Sequence, residues 1–143
     1  MARMLSLDIG DRRIGVAAGS PETGLARPLE TLVRTNKDDG HIFQRLRELV
    51  KSEEAEIIVV GDPVNMDGSV GPRAEISREF AARVKKAIRQ AQVVLYDERL
   101  SSFSADEWME RDGIRKADRK GKRDAYAAAV ILLDYLEALR AES

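Results

Sequence analysis

Three acidic side chains stand where a strand or helix is expected to begin or end. Asp8 closes the apolar run Met4–Ile9 just before a Gly10-Asp11 turn, Glu98 follows the run Gln92–Asp97, and Asp124 opens an alanine- and leucine-rich helical stretch. An aspartate lowers strand propensity, so Asp8 serves either the turn or some chemistry. Carboxylates that converge repel, by roughly 4 kcal/mol for two charges about 4 Å apart at an effective dielectric near 20. Such a cluster needs protons or a cation. Hard, oxygen-seeking Mg²⁺ or Mn²⁺ is the natural counter-ion, and a pair of these ions activates a water while stabilising the leaving oxygen of a phosphodiester. Simpler roles exist for each acid alone: Asp8 closing the hairpin turn, Glu98 pairing with Arg99 or Arg123, and Asp124 facing the helix dipole.

The elements that must bring these acids together follow from periodicity. Met4–Ile9, Ile14–Gly19 and Pro28–Val33 read as three strands of an antiparallel meander. Residues Asp39–Lys51 carry Ile42, Phe43, Leu46, Leu49 and Val50 at helical spacing. Glu56–Gly61 is a short unbroken apolar run, as in a strand covered on both faces, so a parallel crossover through the preceding helix is expected. The turn-rich stretch Asp62–Pro72 precedes a second helix over Ala74–Gln90, and Gln92–Asp97 reads as a last buried strand. Ser104 and Glu107 have capping-box spacing for a short helix, Asp112–Gly121 reads as a loop, and Asp124–Leu139 as a closing helix. The expected fold is α/β: a mixed sheet of about five strands, antiparallel then parallel, flanked by helices in one domain. If the first and last strands are parallel neighbours, Asp8 and Glu98 meet at the strand carboxyl ends, where open α/β sheets bind ligands. Asp124 shares helical phase with Ala128, Ile131 and Tyr135, so it points at the sheet.

Composition bounds the chemistry further. The 143 residues carry no cysteine and a single histidine, His41, which excludes disulfides and thiolate metal sites and fits a reducing cytoplasmic setting. The longest apolar stretch, Ala125–Leu133, is far short of a membrane span, so no membrane partner is expected. A net charge of −1 gives no global basic footprint, but residues 111–123 hold seven basic side chains against two acidic ones. This patch, with Arg115, Lys116, Arg119, Lys120, Lys122 and Arg123, suits a phosphate backbone.

Other signals carry less. The stretch Pro63–Gly68 imitates a calcium loop at Asn65, Asp67 and Gly68, but its first and twelfth positions are Pro63 and Ala74 rather than carboxylates. His41 suits a helix start better than a catalytic role, and Trp108 suits packing better than base stacking.

The stretches LDIGDRRIGVA (Leu7–Ala17), VVGDPVNMDG (Val59–Gly68), DERLSS (Asp97–Ser102) and KGKRDAYAAAVIL (Lys120–Leu132) together resemble the YqgF/RuvX family, described both as Holliday junction resolvases and as pre-16S rRNA nucleases. The resemblance runs nearly end to end. It implies a fold similar to ribonuclease H and the RuvC resolvases, a bacterial cytoplasmic enzyme, and processing of the 5′ end of the 16S rRNA precursor. It also implies that Asp8, Glu98 and Asp124 are metal-binding catalytic acids, with Arg13 and Lys120–Arg123 near the nucleic-acid backbone; Arg99 is counted with these basic residues. One departure stands out: the family carries VGLP where this chain has Asp62 in VGDP. In RuvC-type enzymes an acid at that strand end is a metal ligand, which makes Asp62 a fourth candidate, against a plain turn role before Pro63.

Three function classes follow. A metal-dependent nuclease acting on RNA leads, with cleavage of branched DNA junctions as its alternative; the latter calls for a homodimer with two-fold related sites. Sugar kinases and actin share the strand, Asp-x-Gly turn and strand seen here, but they clamp a nucleotide between two such lobes and this chain has length for one. A noncatalytic RNA-binding assembly factor is the remaining class.

Overall fold

A computed structural model describes residues 2–35, 38–98 and 104–142. Strands β1 (Arg3–Ile9), β2 (Arg13–Ser20) and β3 (Leu25–Val33) form the meander; α1 (Gly40–Ser52), β4 (Ala55–Asp62), α2 (Pro72–Ala87) and β5 (Gln92–Asp97) follow, then α3 (Ala105–Arg111) and α4 (Arg123–Glu142). The strand order is β3-β2-β1-β4-β5, antiparallel within the meander and parallel from β1 through β4 to β5.

Both faces of the sheet are covered, which is why β1 and β4 are apolar almost throughout rather than alternating. Leu5, Leu7 and Ile9 of β1 and Ile58 and Val60 of β4 pack on one face against Ile42, Leu46 and Leu49 of α1 and Phe80 and Val84 of α2. There the Phe43 and Phe80 rings stack with centroids 5.2 Å apart. On the other face Met4 and Val59 pack against Ile131, Leu132 and Leu136 of α4. Alanines do the same closer in, where Ala17 meets Ala128 and Ala129. The small side chains let α4 lie near the sheet, and the Ser6 hydroxyl donates to the Ala128 carbonyl at 2.6 Å.

The expected fold class is observed, with several boundaries moved. The third strand starts at Leu25 rather than Pro28, α2 runs from Pro72 to Ala87 rather than over 74–90, and α4 extends to Glu142. The stretch 112–121, expected as loop, contains a 3-10 turn at Lys116–Asp118. The consequential difference lies in the sheet: β1 and β5 are not neighbours, because β4 runs between them. No described helix is long and apolar enough to cross a membrane.

Candidate active site

With β4 interposed, Asp8 and Glu98 must meet across a strand, and strand parity decides whether they can. Leu7 pairs with Val60 and Asp62 with Asp97. Side chains alternate between faces along each strand, so Ser6, Asp8, Val59, Gly61, Val94 and Tyr96 share the α4 face, and Glu98 extends that row past the end of β5. Gly61 is the device that closes the gap. A β-carbon built there would lie 2.8 Å from the carboxyl carbon and Oε1 of Glu98 and 2.7 Å from Ile131 Cδ1. The absent side chain leaves the space that the Glu98 carboxylate occupies.

A second glycine brings in Asp124. Gly15 pairs with Asp8 across β1 and β2, and a β-carbon on Gly15 would stand 1.8 Å from the Asp124 carbonyl oxygen. The first turn of α4 therefore rests on bare backbone directly beside Asp8. The Arg13 Nε donates to Asp124 Oδ2 at 3.0 Å, so the third acid already has a cationic partner.

The electrostatics agree with this grouping. Burial, reinforced by the Asp124 charge and opposed by Arg73, pushes the Asp8 carboxyl up to about 6. Burial first, then the Asp8 charge, pushes Glu98 up to about 7, again against Arg73. Both acids favour the proton because each is desolvated beside negative charge. Their donors are all carboxylate oxygens, the set that suits Mg²⁺ or Mn²⁺. Among the described residues, no three acidic or histidine side chains are spaced to hold an ion as they stand, in keeping with the engagement of Asp124 by Arg13.

Asp62 does not join this group. It falls on the opposite face of β4, where Arg78 of α2 donates to it twice, Nε to Oδ1 at 3.0 Å and Nη2 to Oδ2 at 2.9 Å. Parity sets it apart from Glu98, since one residue along a strand is the other side of the sheet, while its charge still adds to the rise in the Glu98 pKa.

The basic residues divide into engaged and open ones. Arg115 pairs with Asp118, the Arg119 Nε donates to the Ile114 carbonyl, and Arg123 pairs with Asp106 rather than Glu98. Lys116, Lys120 and Lys122 are exposed and form no ion pair among the described residues. Arg99 lies outside the described residues. Tyr126 anchors this segment, its hydroxyl donating to Asp112 at 2.6 Å, while Trp108 packs edge-on against the Tyr126 ring, the packing role expected of it. Ser104 caps α3 by accepting from the Glu107 amide, as its spacing predicts. His41 contacts the Val33 carbonyl near the start of α1.

Two features are absent from the sequence reading. Arg34 braces the β1–β2 turn from below: it donates to the Gly10 carbonyl and to both oxygens of buried Asp39, which also accepts from Arg83. Burial opposes the Asp39 charge, but these arginine hydrogen bonds outweigh it and hold the carboxyl below its ordinary range. The other is Arg73, in the first turn of α2. A glycine followed by proline at the first helical position is a helix-start signal; applied to Gly71-Pro72 it places Arg73 at the strand carboxyl ends.

Comparison with known proteins follows the same line. The profile of the RuvX family, described as Holliday junction resolvase, matches residues 2–138. A relative from Bacillus mycoides (strain KBAB4), provisionally named a pre-16S rRNA nuclease, is 39% identical over 137 residues, covering 95% of this chain and 98% of its own. One from Geobacillus thermodenitrificans (strain NG80-2) with the same name is 40% identical over 139 residues, covering 96% and 99%. Among solved structures, T. thermophilus RuvC in complex with a Holliday junction substrate superposes with a TM-score of 0.62 at 16% identity, covering 99% of this chain and 96% of that one. The Fowlpox virus resolvase with junction DNA gives 0.56 at 10% identity, with 96% and 98% covered. At such identities the likeness is one of fold.

Proposed function

The chain belongs to the RuvX family, and from that premise we propose that it is a metal-dependent nuclease that hydrolyses phosphodiester bonds in RNA, with the precursor of 16S rRNA as substrate and the cytoplasm as its setting. The observation that carries the reading is the pair Asp8 and Glu98, two desolvated acids whose pKa values are raised beside each other across Gly61. The names of relatives nearly 40% identical over almost the whole chain support the RNA substrate.

In this reading Asp8 and Glu98 hold Mg²⁺ or Mn²⁺, and Asp124 joins them when Arg13 lets it go. When bound, such ions activate a water and stabilise the leaving oxygen, as two-metal sites do. The rest is the work of the chain itself. Lys116, Lys120 and Lys122, open at the entrance to α4, draw the backbone in by replacing its counterions. Arg13, released from Asp124, is then free to take a phosphate oxygen. Partial burial of Asp8 and Glu98 limits the screening of their charges by bulk water.

The description of the family as Holliday junction resolvase favours branched DNA as the second reading; that reaction requires a dimer with two-fold related sites. The test is cleavage of an end-labelled precursor 16S RNA fragment and of a four-way DNA junction, with Mn²⁺, Mg²⁺ or EDTA, beside Asp8→Asn. Metal-dependent cutting of the RNA that vanishes in the variant is expected. Preferential cutting of the junction by a dimer selects the second reading, and binding without cutting in any metal selects a noncatalytic assembly role.

A further inference from the structure

Arg73 is exposed on the first turn of α2, which starts at the carboxyl ends of β4 and β5 where Asp8 and Glu98 also lie, and its charge opposes the rise in both of their pKa values. Yet among the described residues it forms neither an ion pair nor a hydrogen bond. Its neighbours behave differently: Arg13 is committed to Asp124 and Arg78 to Asp62. An arginine that stands off from two acids, rather than closing on them, keeps its five donors for something that comes between.

Its place is held firmly. The Asp62–Arg78 fork fastens α2 to the end of β4. The connecting loop is bonded to itself, with the Asn65 amide donating to the Ser69 carbonyl, the Gly68 amide to the Asn65 carbonyl, and Ser69 to Asp67 through both amide and hydroxyl. Gly71 packs against the Asn65 side chain, where a β-carbon would lie 3.2 Å from Nδ2, and Pro72 starts the helix with a preset φ. This scaffold fixes the backbone of Arg73 at the carboxyl ends of the parallel strands, and the positive end of the α2 dipole lies at the same spot.

We propose that Arg73 binds the substrate phosphate that Asp8 and Glu98 face, donating to its non-bridging oxygens. The inference rests on the nuclease reading for the identity of the substrate. A phosphodiester is the anion that satisfies the arrangement: its pair of non-bridging oxygens matches an arginine fork, and the charge that grows on them during in-line attack is what a guanidinium engaged with them stabilises most. This makes Arg73 a substrate-contacting residue distinct from the lysines of residues 116–122, which meet the flanking backbone.

The test separates the contact from the chemistry. Binding of a labelled single-stranded RNA in EDTA, where nothing is cut, is measured against salt for wild type, Arg73→Ala and Arg73→Lys. The expected result is a slope of log K on log salt about 0.7 shallower in Arg73→Ala, one phosphate contact on a single strand, and recovered in Arg73→Lys. An unchanged slope and affinity overturns the proposal. In Mn²⁺, cleavage by Arg73→Ala should fall on the order of 100-fold in kcat, with the same Mn²⁺ midpoint as wild type. Wild-type rates in Arg73→Ala, or full rescue by added Mn²⁺, overturn it too, the latter because Arg73 would then serve only to hold the acids for the ion. If wild type cuts nothing, the nuclease reading falls while the salt slope still decides whether Arg73 holds a phosphate.

Discussion

The carbonyl oxygen of Asp124 occupies the space into which a side chain on Gly15 would grow: a β-carbon there would lie 1.8 Å from it. Because Gly15 is the cross-strand partner of Asp8, this one contact sets how near the first turn of α4 comes to the first acid. Gly15→Ala forces the helix away from the sheet. We expect a loss of at least about 2 kcal/mol in unfolding free energy, the scale of overpacking a tight contact, and a larger loss of cleavage than any fall in stability explains. Denaturant unfolding and cleavage assays on the folded variant check this; wild-type values in both would show that α4 does not need bare backbone here.

The raised acids make a signed prediction for pH. Asp8 moves from an ordinary value of 3.8 to about 6 and Glu98 from 4.5 to about 7, so the folded state binds their protons more tightly than the unfolded chain does. The stabilisation is fully present below about pH 4 and is lost as pH rises through 6 to 7. Asp8→Asn removes one charge and relieves the other. Without metal, the variant should therefore gain on wild type between pH 4 and 8, reaching an advantage of about 3 kcal/mol at the upper end. Urea unfolding across that range tests it, and a pH-independent difference would mean that the fold does not raise the Asp8 pKa. Added Mn²⁺ at pH 8 should stabilise wild type and leave Asp8→Asn unmoved.

The acids were legible in the sequence because strand ends and helix starts announce themselves locally. Asp8 before Gly10, Glu98 after Asp97 and Asp124 ahead of an apolar stripe need only periodicity. What periodicity does not carry is order across the sheet. That β4 separates β1 from β5 is a tertiary fact, and with it comes the role of Gly61, which has no meaning until Glu98 must reach over it. Asp62 shows the limit from the other side. Its position at a strand end is plain from the apolar run before it, but the face it takes depends on a register that a single residue reverses.

Gly61 gives the companion prediction. Gly61→Ala places a methyl against the Glu98 carboxylate and Ile131, so the side chain of Glu98 must swing away from Asp8. Cleavage should fall at least about tenfold with a higher Mn²⁺ midpoint, as expected for a displaced ligand. The Glu98 pKa, followed by carboxyl NMR, should move down from about 7 toward its ordinary value as it leaves its buried place beside the Asp8 charge. An unmoved Glu98 pKa would show that the two acids do not meet across β4.

Lys120 and Lys122 are exposed and unpaired among the described residues, so replacing both with alanine should leave the melting temperature within about a degree of wild type. RNA affinity should fall uniformly across sequences, with a salt slope about 1.4 shallower for two contacts on a single strand. Salt-dependent binding measures both. An unchanged slope would move the backbone path off this segment.

Asp62 and Arg78 decide between two roles for the acid that departs from the family pattern. As a brace, Asp62 holds the start of α2 and with it Arg73, through a carboxylate that is 11% exposed and doubly bonded. Asp62→Asn weakens charge-assisted hydrogen bonds and should cost about 1–3 kcal/mol, and Arg78→Ala should do much the same, because each breaks the same fork. The double variant should cost little more than either alone, a coupling that a thermodynamic cycle reads directly. Cleavage should drop in parallel for all three variants while the Mn²⁺ concentration for half-maximal rate stays at its wild-type value, since none of them touches the α4 face where Asp8 and Glu98 lie. A ligand would behave otherwise: Asp62→Asn alone would raise the Mn²⁺ requirement, and Arg78→Ala, by freeing the carboxylate, would lower it. Opposite shifts in those two midpoints would return Asp62 to the metal-binding set.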